Sequence, residues 1–361
     1  MSKRVKVNLG ARSYTITIGH ALPVGTSIGN AKGVRALLVS DRHVDPLYGA
    51  ACARRLAARG MRVARAVIPA GESSKSLSQL ERLYDTAAGM RLDRSSVVVA
   101  LGGGVVGDLA GFLAATYLRG VRLIQAPTSL LAMVDSSVGG KTGINLPQGK
   151  NLVGAFYQPV EVVADLDTLA TLPDRQYRSG LAEVVKCGFI RDAGLLRLLE
   201  TRADALLRRD PALIEEVVAR CCRIKARVVG ADEREDRLRA ILNFGHTMGH
   251  AVENAAGYGR FLHGEAVAVG MAFALDVSVR HAGLAPRERD RGIALIRRLG
   301  LPVRAAGLPW KAVRAGMASD KKNRGGAPRF VLVEKPGSAI IGREVPEAEL
   351  KRTYIEALCP T

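Results

Sequence analysis

Five apolar residues followed by a run of glycines constrain this chain more than any other stretch. Val97 to Leu101 is an uninterrupted apolar segment of strand length, and Gly102-Gly-Gly-Val-Val-Gly-Asp108 follows it and opens a helix read from about Val106 to Leu118. Gly102, Gly104 and Gly107 form a literal Gly-x-Gly-x-x-Gly, in the strand-to-helix context that gives the pattern meaning. Glycines let a backbone approach a pyrophosphate, whose charge the helix N-terminus favours. Two features depart from the dinucleotide fingerprint. The loop lies in the third strand–helix unit, and some 20 residues on, near Gln125, no acid waits for a ribose. Asp41, at the end of an earlier strand, is the remaining candidate for that task.

The segments before the loop repeat its alternation. Val5 to Val7 and Tyr14 to Ile18 read as a small hairpin; then come strand Ala36 to Ser40, a helix from about Pro46 to Arg59, strand Val63 to Ile68 and a helix around Ser76 to Ala88. Such alternation predicts a parallel sheet covered by helices, with ligands at the carboxyl ends of its strands. From Ala126 to Asn145, and again at Gly149 to Asn151, the sequence reads as a long polar loop. It sets Asp135, Lys141, Lys150 and Asn151 among small residues suited to phosphate oxygens. After Pro173 the periodicity is helical: 175–190, 195–207, 211–229, 239–255, 264–281 and 286–299. The expectation is an α/β domain over 1–175, Rossmann-like and nucleotide-binding, and an all-α domain over 176–361.

Composition removes several classes. No run approaches the roughly 18 apolar residues of a membrane span, and the N-terminus lacks the apolar stretch of a secretion signal, so the expected location is the cytoplasm. Five scattered cysteines, an odd number without Cys-x-x-Cys spacing, read as reduced structural thiols. The net charge of +19 raises nucleic acid first. Yet the arginines are spread over nearly every predicted helix and only 4% of residues are aromatic, leaving few platforms for bases. Solvated helix faces and attraction of a small polyanion account for the charge better.

Three of the six histidines fall between Arg239 and Glu265. Run as one helix, Arg239, Asn243, His246 and His250 share a face at i, i+4, i+7 and i+11. His263 follows a Gly-Tyr-Gly break, so two helices would bring three imidazoles to one point, the donor set of a catalytic zinc with an open position. Glu183 and Lys186, three apart among apolar neighbours, are either an ordinary i,i+3 pair or, through the carboxylate, a further ligand. Ser319 to Gly326 contains Lys321 and Lys322 and reads as a solvated turn or another anion contact.

Gly-Glu-x-x-Lys at 71–75, Gly-Gly-Gly-Val-Val-Gly-Asp at 102–108, Tyr-Leu-Arg-Gly at 117–120, Met-Val-Asp-Ser-Ser-Val-Gly-Gly-Lys-Thr at 133–142, Gly-Leu-Ala-Glu-Val-Val-Lys at 180–186, Asn-Phe-Gly-His-Thr-x-Gly-His at 243–250 and His-Gly-Glu-Ala-Val at 263–267 together resemble the 3-dehydroquinate synthase family, in order and over nearly the whole chain. The resemblance implies NAD, one divalent metal ion (zinc, with cobalt as the alternative) and a homodimer. It assigns the metal to Glu183, His246 and His263, replacing three histidines by two and a glutamate. It assigns NAD to Asp41, Glu72, Lys75, Gly103, Gly104, Val105, Asp108, Thr128, Ser129, Lys141, Lys150 and the segment from Thr168 to Thr171. Around the substrate it sets Asp135, Lys141, Asn151, Lys186, Lys225, Arg239, Asn243, His250 and one of Lys321 or Lys322, with Arg119 reaching the partner's site. His43, Ser129 and Ala70 depart from the family's usual residues without touching the chemistry.

The implied substrate is 3-deoxy-D-arabino-heptulosonate 7-phosphate, a phosphorylated acid. The implied reaction gives 3-dehydroquinate and phosphate, within aromatic amino-acid biosynthesis, by transient oxidation, phosphate elimination, re-reduction and aldol closure. Neither nucleic acid nor membrane is an expected partner. Two enzymes of the same fold remain as alternatives: another sugar-phosphate cyclase, and a metal-dependent polyol dehydrogenase that would release NADH.

Overall fold

The computed structural model describes residues 2–257, 259–318 and 329–358, which divide into two compact units. The first comprises residues up to Leu172 together with Val218–Gly230; the second comprises Pro173–Val217 and the residues from Ala231 onward. Lys321, Lys322 and Cys359 lie outside the described residues.

In the first unit the chain runs β1 (Lys3–Val7), β2 (Tyr14–Gly19), β3 (Arg35–Asp41), α1 (Ala50–Ala58), β4 (Arg62–Ile68), α2 (Leu77–Gly89), β5 (Val97–Gly102), α3 (Gly104–Thr116), β6 (Arg122–Pro127), β7 (Lys141–Leu146), β8 (Gly149–Phe156) and β9 (Glu161–Asp165). Seven of these strands form one sheet in the order β1-β2-β9-β6-β5-β3-β4. All its pairings are parallel except the β1–β2 hairpin. β5 is buried along its whole length because side chains of alternate parity enter different cores. Val98 and Ala100 pack with α2 and α3, and Val97, Val99 and Leu101 pack with α1. The chain leaves β3 toward β4 and returns on the other side as β5. The order therefore reverses between β3 and β5, where an open parallel sheet leaves a crevice at its carboxyl ends. Asp41 ends β3 and the glycine loop ends β5, so both flank that crevice.

The long loop expected from Ala126 to Asn151 is corrected by the structure. Past β6 the chain makes a wide helical turn, Ala132–Ser136, and then the β7–β8 hairpin, which forms its own two-stranded sheet. Its composition hides it. Gly143 and Gly154 face each other so closely that a Cβ on Gly154 would lie 2.1 Å from Thr142 O, and Gly111 of α3 leaves the room that Thr142 fills.

The second unit contains α4 (Asp174–Arg191), α5 (Ala193–Leu207), the start of α6 (Pro211–Ala231), α7 (His246–Ala256), α8 (His263–His281), α9 (Pro286–Arg298), α10 (Trp310–Ala318), an antiparallel hairpin of β10 (Arg329–Lys335) and β11 (Ser338–Glu344), and α11 (Glu347–Thr353). The hairpin makes this unit helical with one β element rather than purely helical. From Ser179 to Ile190 every residue of α4 is buried, and α8 is buried at nearly every position from Gly264 to Ser278. Glycines let these central helices touch. A Cβ on Gly264 would stand 1.9 Å from Ser179 O, and one on Gly270 the same distance from Gly245 O.

The single helix expected over 239–255 does not exist. Leu238–Asn243 is a short 3-10 turn, Phe244 has extended ψ, and Gly245 turns left-handed at φ 80° before α7 begins at His246. Phe244 is fully buried and packs against Phe189, with ring centroids 5.7 Å apart and planes tilted by 48°, which fixes the break. Arg239 and Asn243 therefore do not continue the face of His246 and His250.

Candidate active site

Glu183 projects from the middle of α4, while His246 and His263 are the first residues of α7 and α8. Their donor atoms lie within 4.8 Å of one another, the one such group among the described residues. The Nε2 atoms of His246 and His263 stand 3.6 and 3.7 Å from Glu183 Oε1, too far for hydrogen bonds. That oxygen is buried and has no hydrogen-bond partner among the described residues. A buried carboxylate oxygen left without a partner is costly unless a cation meets it, and Glu183 is only 1% exposed. Four-coordinate zinc with bonds of about 2.1 Å separates its ligands by roughly 3.4 Å, so the donor set fits one metal ion with an open position. His250, one turn along α7, is not among the converging donors. Its ring centroid lies 5.4 Å from that of His246 and 5.9 Å from that of His263.

Neighbouring groups orient these donors. His246 Nδ1 faces Phe244 O at 3.2 Å, and a carbonyl only accepts, so Nδ1 carries the hydrogen and Nε2 keeps its lone pair. Both histidines are the first residues of their helices, and their ring centroids lie 5.3 Å apart. Glu253 Oε2 lies 3.7 Å from His263 Nδ1. Sequence reasoning missed Glu253, although it stands seven residues after His246, on the same helix face. Lys186, 2% exposed, pairs with Glu183 Oε2, leaving Oε1 toward the imidazoles.

Arg239 is 1% exposed; its backbone N–H donates to Asp232 and its guanidinium to Glu233 O. Asn243 donates through Nδ2 to Glu235 Oε1 at 2.7 Å. Glu235 was also missed, since nothing in its local pattern marks it out.

The first unit holds a second set of polar groups. α3 starts behind the glycine loop with no side chain capping its amides, as an anion site requires. A Cβ on Gly102 would strike Val106 at 2.6 Å, and one on Gly107 would meet Gln125 at 2.9 Å, so these glycines serve packing at the loop. Ser129 lies 3.6 Å from the Cβ position of Gly103, and Val105 is half-buried in the first turn of α3. Lys75, 3% exposed, donates to Asp108 Oδ2 at 2.7 Å and to Asn151 Oδ1, with Glu72 Oε1 3.5 Å away. Burial works to lower its pKa, but Asp108 and Glu72 outweigh it and hold the ammonium above its ordinary range. Asn145 ties the hairpin to this group through Glu72 Oε1.

Asp41 Oδ1 accepts from the backbone of His43 and Val44. Thr128 and Thr168 line a mainly apolar cavity of about 170 Å³ past the ends of β5, β6 and β9, and Thr171 is hydrogen-bonded to Tyr48, which also lines it. Lys225, from α6, donates to both the carbonyl and the carboxylate of Asp135. Lys141 is exposed and Lys150 half-buried, at the two strands of the hairpin. Arg119 is exposed, and it and Leu118 both adopt left-handed backbone, at φ 64° and 51°.

Comparison with known proteins agrees with this geometry. Residues 65–179 match the family described as 3-dehydroquinate synthase N-terminal, and 180–323 match 3-dehydroquinate synthase C-terminal. The 3-dehydroquinate synthase of Halorhodospira halophila is 52% identical over 98% of this chain and 99% of its own; that of Symbiobacterium thermophilum is 51% identical with the same coverage. Among solved structures, the 2-epi-5-epi-valiolone synthase ValA of Streptomyces hygroscopicus, with NAD⁺ and Zn²⁺ bound, is 30% identical with a TM-score of 0.86, covering 94% of this chain and 95% of ValA. A 2-deoxy-scyllo-inosose synthase complexed with carbaglucose-6-phosphate, NAD⁺ and Co²⁺ is 27% identical with a TM-score of 0.90, covering 99% of this chain and all of that one. A glycerol dehydrogenase of Schizosaccharomyces pombe, 18% identical at a TM-score of 0.63 over 89% of this chain and 82% of its own, shares the fold alone. Matched across both halves and at half identity over nearly its full length, the chain belongs to the 3-dehydroquinate synthase family.

Proposed function

We propose that this chain converts 3-deoxy-D-arabino-heptulosonate 7-phosphate to 3-dehydroquinate and phosphate. The observation that carries the reading is the orphaned Glu183 Oε1 facing the Nε2 atoms of His246 and His263, a metal cradle in a chain of this family. NAD is assigned to the first unit, at the glycine loop, Asp41, Glu72, Lys75, Asp108, Thr128, Ser129, Lys141, Lys150, Thr168 and Thr171; the metal is assigned to the second. When bound, NAD accepts and returns one hydride per turnover, and zinc or cobalt polarises the substrate hydroxyls it meets.

The chain's own residues have distinct tasks. Arg239, whose buried guanidinium offers a planar fork, pairs with the substrate carboxylate. Asn243 donates to a substrate hydroxyl, and His250, beside the metal cradle but not part of it, moves a proton. Lys186 pairs with Glu183 Oε2 and so keeps Oε1 turned toward the imidazoles. Asp135, Lys225, Asn151 and one of Lys321 or Lys322 complete the substrate's polar contacts.

A homodimer in which Arg119 serves the partner's site is supported by the surface around that residue. Leu118, next to Arg119 in the chain, is 42% exposed, and Gly120 abuts Tyr157, near which in the chain Phe156 and Val160 are 43% and 37% exposed. Left-handed backbone at two successive non-glycine residues costs about 1 kcal/mol each, which contacts across a dimer would offset. A cytoplasmic location is supported by Cys52 and Cys187, both buried thiols outside any disulfide. No described helix is long and apolar enough to cross a membrane.

The deciding assay is phosphate release from the heptulosonate phosphate by purified protein. Release should need NAD, stop after chelation and return with zinc or cobalt, with no net NADH. Stoichiometric NADH would favour the polyol dehydrogenase, and preference for a sugar phosphate lacking the carboxylate would favour another cyclase.

A further inference from the structure

Asp232 follows the last residue of α6, at the negative end of a 21-residue helix, where a carboxylate is electrostatically misplaced. The structure shows what offsets this. Its Oδ2 accepts the backbone N–H groups of Arg237 at 2.8 Å and Arg239 at 2.9 Å, and its Oδ1 accepts that of Asp236 at 3.0 Å. The backbone N–H of Glu235 is directed at it as well. An ionised carboxylate offers about four acceptor positions, and this one spends them on the segment 235–239. Burial pushes its pKa up, but the backbone donors outweigh burial and hold the carboxyl below its ordinary range.

The gathered segment carries two groups that the proposed function assigns to substrate. Arg239 is anchored at its backbone by Asp232 and at its guanidinium by Glu233 O. Glu235 is held at φ 64°, a conformation disfavoured for an L residue, and its carboxylate takes the Asn243 amide. We propose that Asp232 is a positioning residue: it touches neither substrate nor metal, and by folding 235–239 around its carboxylate it aims Arg239 and, through Glu235, Asn243. This rests on the substrate roles of those two residues given above.

The test is a double-mutant cycle on kcat/KM for phosphate release, with metal content and thermal unfolding measured on each variant. Asp232→Ala should lower kcat/KM by about 10- to 100-fold with wild-type metal content, since it removes several hydrogen bonds to a charged acceptor. Asp232→Asn, which keeps one carbonyl acceptor, should lose less. In an Arg239→Met background, Asp232→Ala should cost about fivefold less than in the wild type, because one residue acts through the other. A general loss of stability would lower activity by the same factor in both backgrounds and would overturn the proposal. So would an Asp232→Ala enzyme within about twofold of wild type. If that variant does not fold, Asp232→Asn takes its place in the cycle under the same criterion. Arg239→Met alone reports on the underlying reading: if it leaves kcat/KM unchanged, the carboxylate role of Arg239 fails, and this inference with it.

Discussion

Lys75→Met removes an ammonium while keeping most of the stem's volume, so its effect isolates the charge. Lys75 is 4% exposed at its side chain, its main partner Asp108 is 22% exposed and Glu72 is 33% exposed. Breaking a fully buried pair costs about 3–5 kcal/mol, and a hydrogen bond to a charged group about 1.5–3 kcal/mol. Asp108 keeps some access to water, which places the expected loss at about 2–3 kcal/mol. At about 2–4 °C per kcal/mol for a unit of this size, thermal unfolding at pH 7 should shift down by roughly 4–12 °C. The pH dependence has a defined sign. Because the folded protein raises the pKa of Lys75, its stabilisation is complete below the ordinary lysine value near 10.4 and is lost as pH climbs through the folded value. The gap between wild type and variant, followed by circular dichroism, should be flat from about pH 6 to 9 and close above about pH 10.4. A shift under about 1 °C at pH 7, or a gap that widens in alkali, would refute the reasoning.

Three further outcomes are expected. His246→Ala should lose the metal and all turnover, whereas His250→Ala should keep the metal and slow by about 10² to 10⁴; equal metal loss in both would restore a three-histidine site. Inactive Arg119→Ala and inactive His250→Ala proteins, mixed under subunit exchange, should recover up to about a quarter of wild-type activity, because a mixed dimer contains one intact site. No recovery, with exchange verified, would place Arg119 in its own chain's site. Gly270→Ala should destabilise the second unit by about 3 kcal/mol or more and reduce metal content, since its Cβ would lie 1.9 Å from the carbonyl of Gly245, which precedes His246. Gly89→Ala, which meets nothing within 4 Å, should be neutral; a Gly270→Ala protein equally stable would show that α7 and α8 adjust freely.

What the sequence disclosed follows physical lines. β3 and β5 were legible because strands covered on both faces carry an apolar run, Ala36 to Val39 and Val97 to Leu101, and the glycine loop because its residues are dictated by close approach. β9 was missed: it is five residues long and begins with a buried Glu161, satisfied by Thr26 and Ser27 from far upstream. The β7–β8 hairpin was missed because glycine and lysine in a strand read as loop until the backbone behind them is known. The helix drawn through 239–255 failed for the opposite reason. Periodicity continued across Phe244-Gly245 by coincidence, and only the tertiary contact of Phe244 with Phe189 shows that the chain breaks there. The pairing of His246 and His263 with Glu183 depends on three helices meeting, which no local pattern encodes.

The left-handed turn at Gly245 also bears on how such a chain can diverge. Had one rigid helix carried both Arg239 and His246, any substitution that re-aimed the arginine would have tilted the imidazole with it. Instead Arg239, assigned to the substrate's carboxylate, belongs to a short turn anchored at Phe244, and His246 begins a helix whose start is set by glycine contacts with α8. The two parts can be inherited separately. On the roles proposed for Arg239 and Asn243, mutations in 232–243 can retune which acid is recognised while the metal cradle is passed on unchanged, so new substrates become reachable without first losing the chemistry.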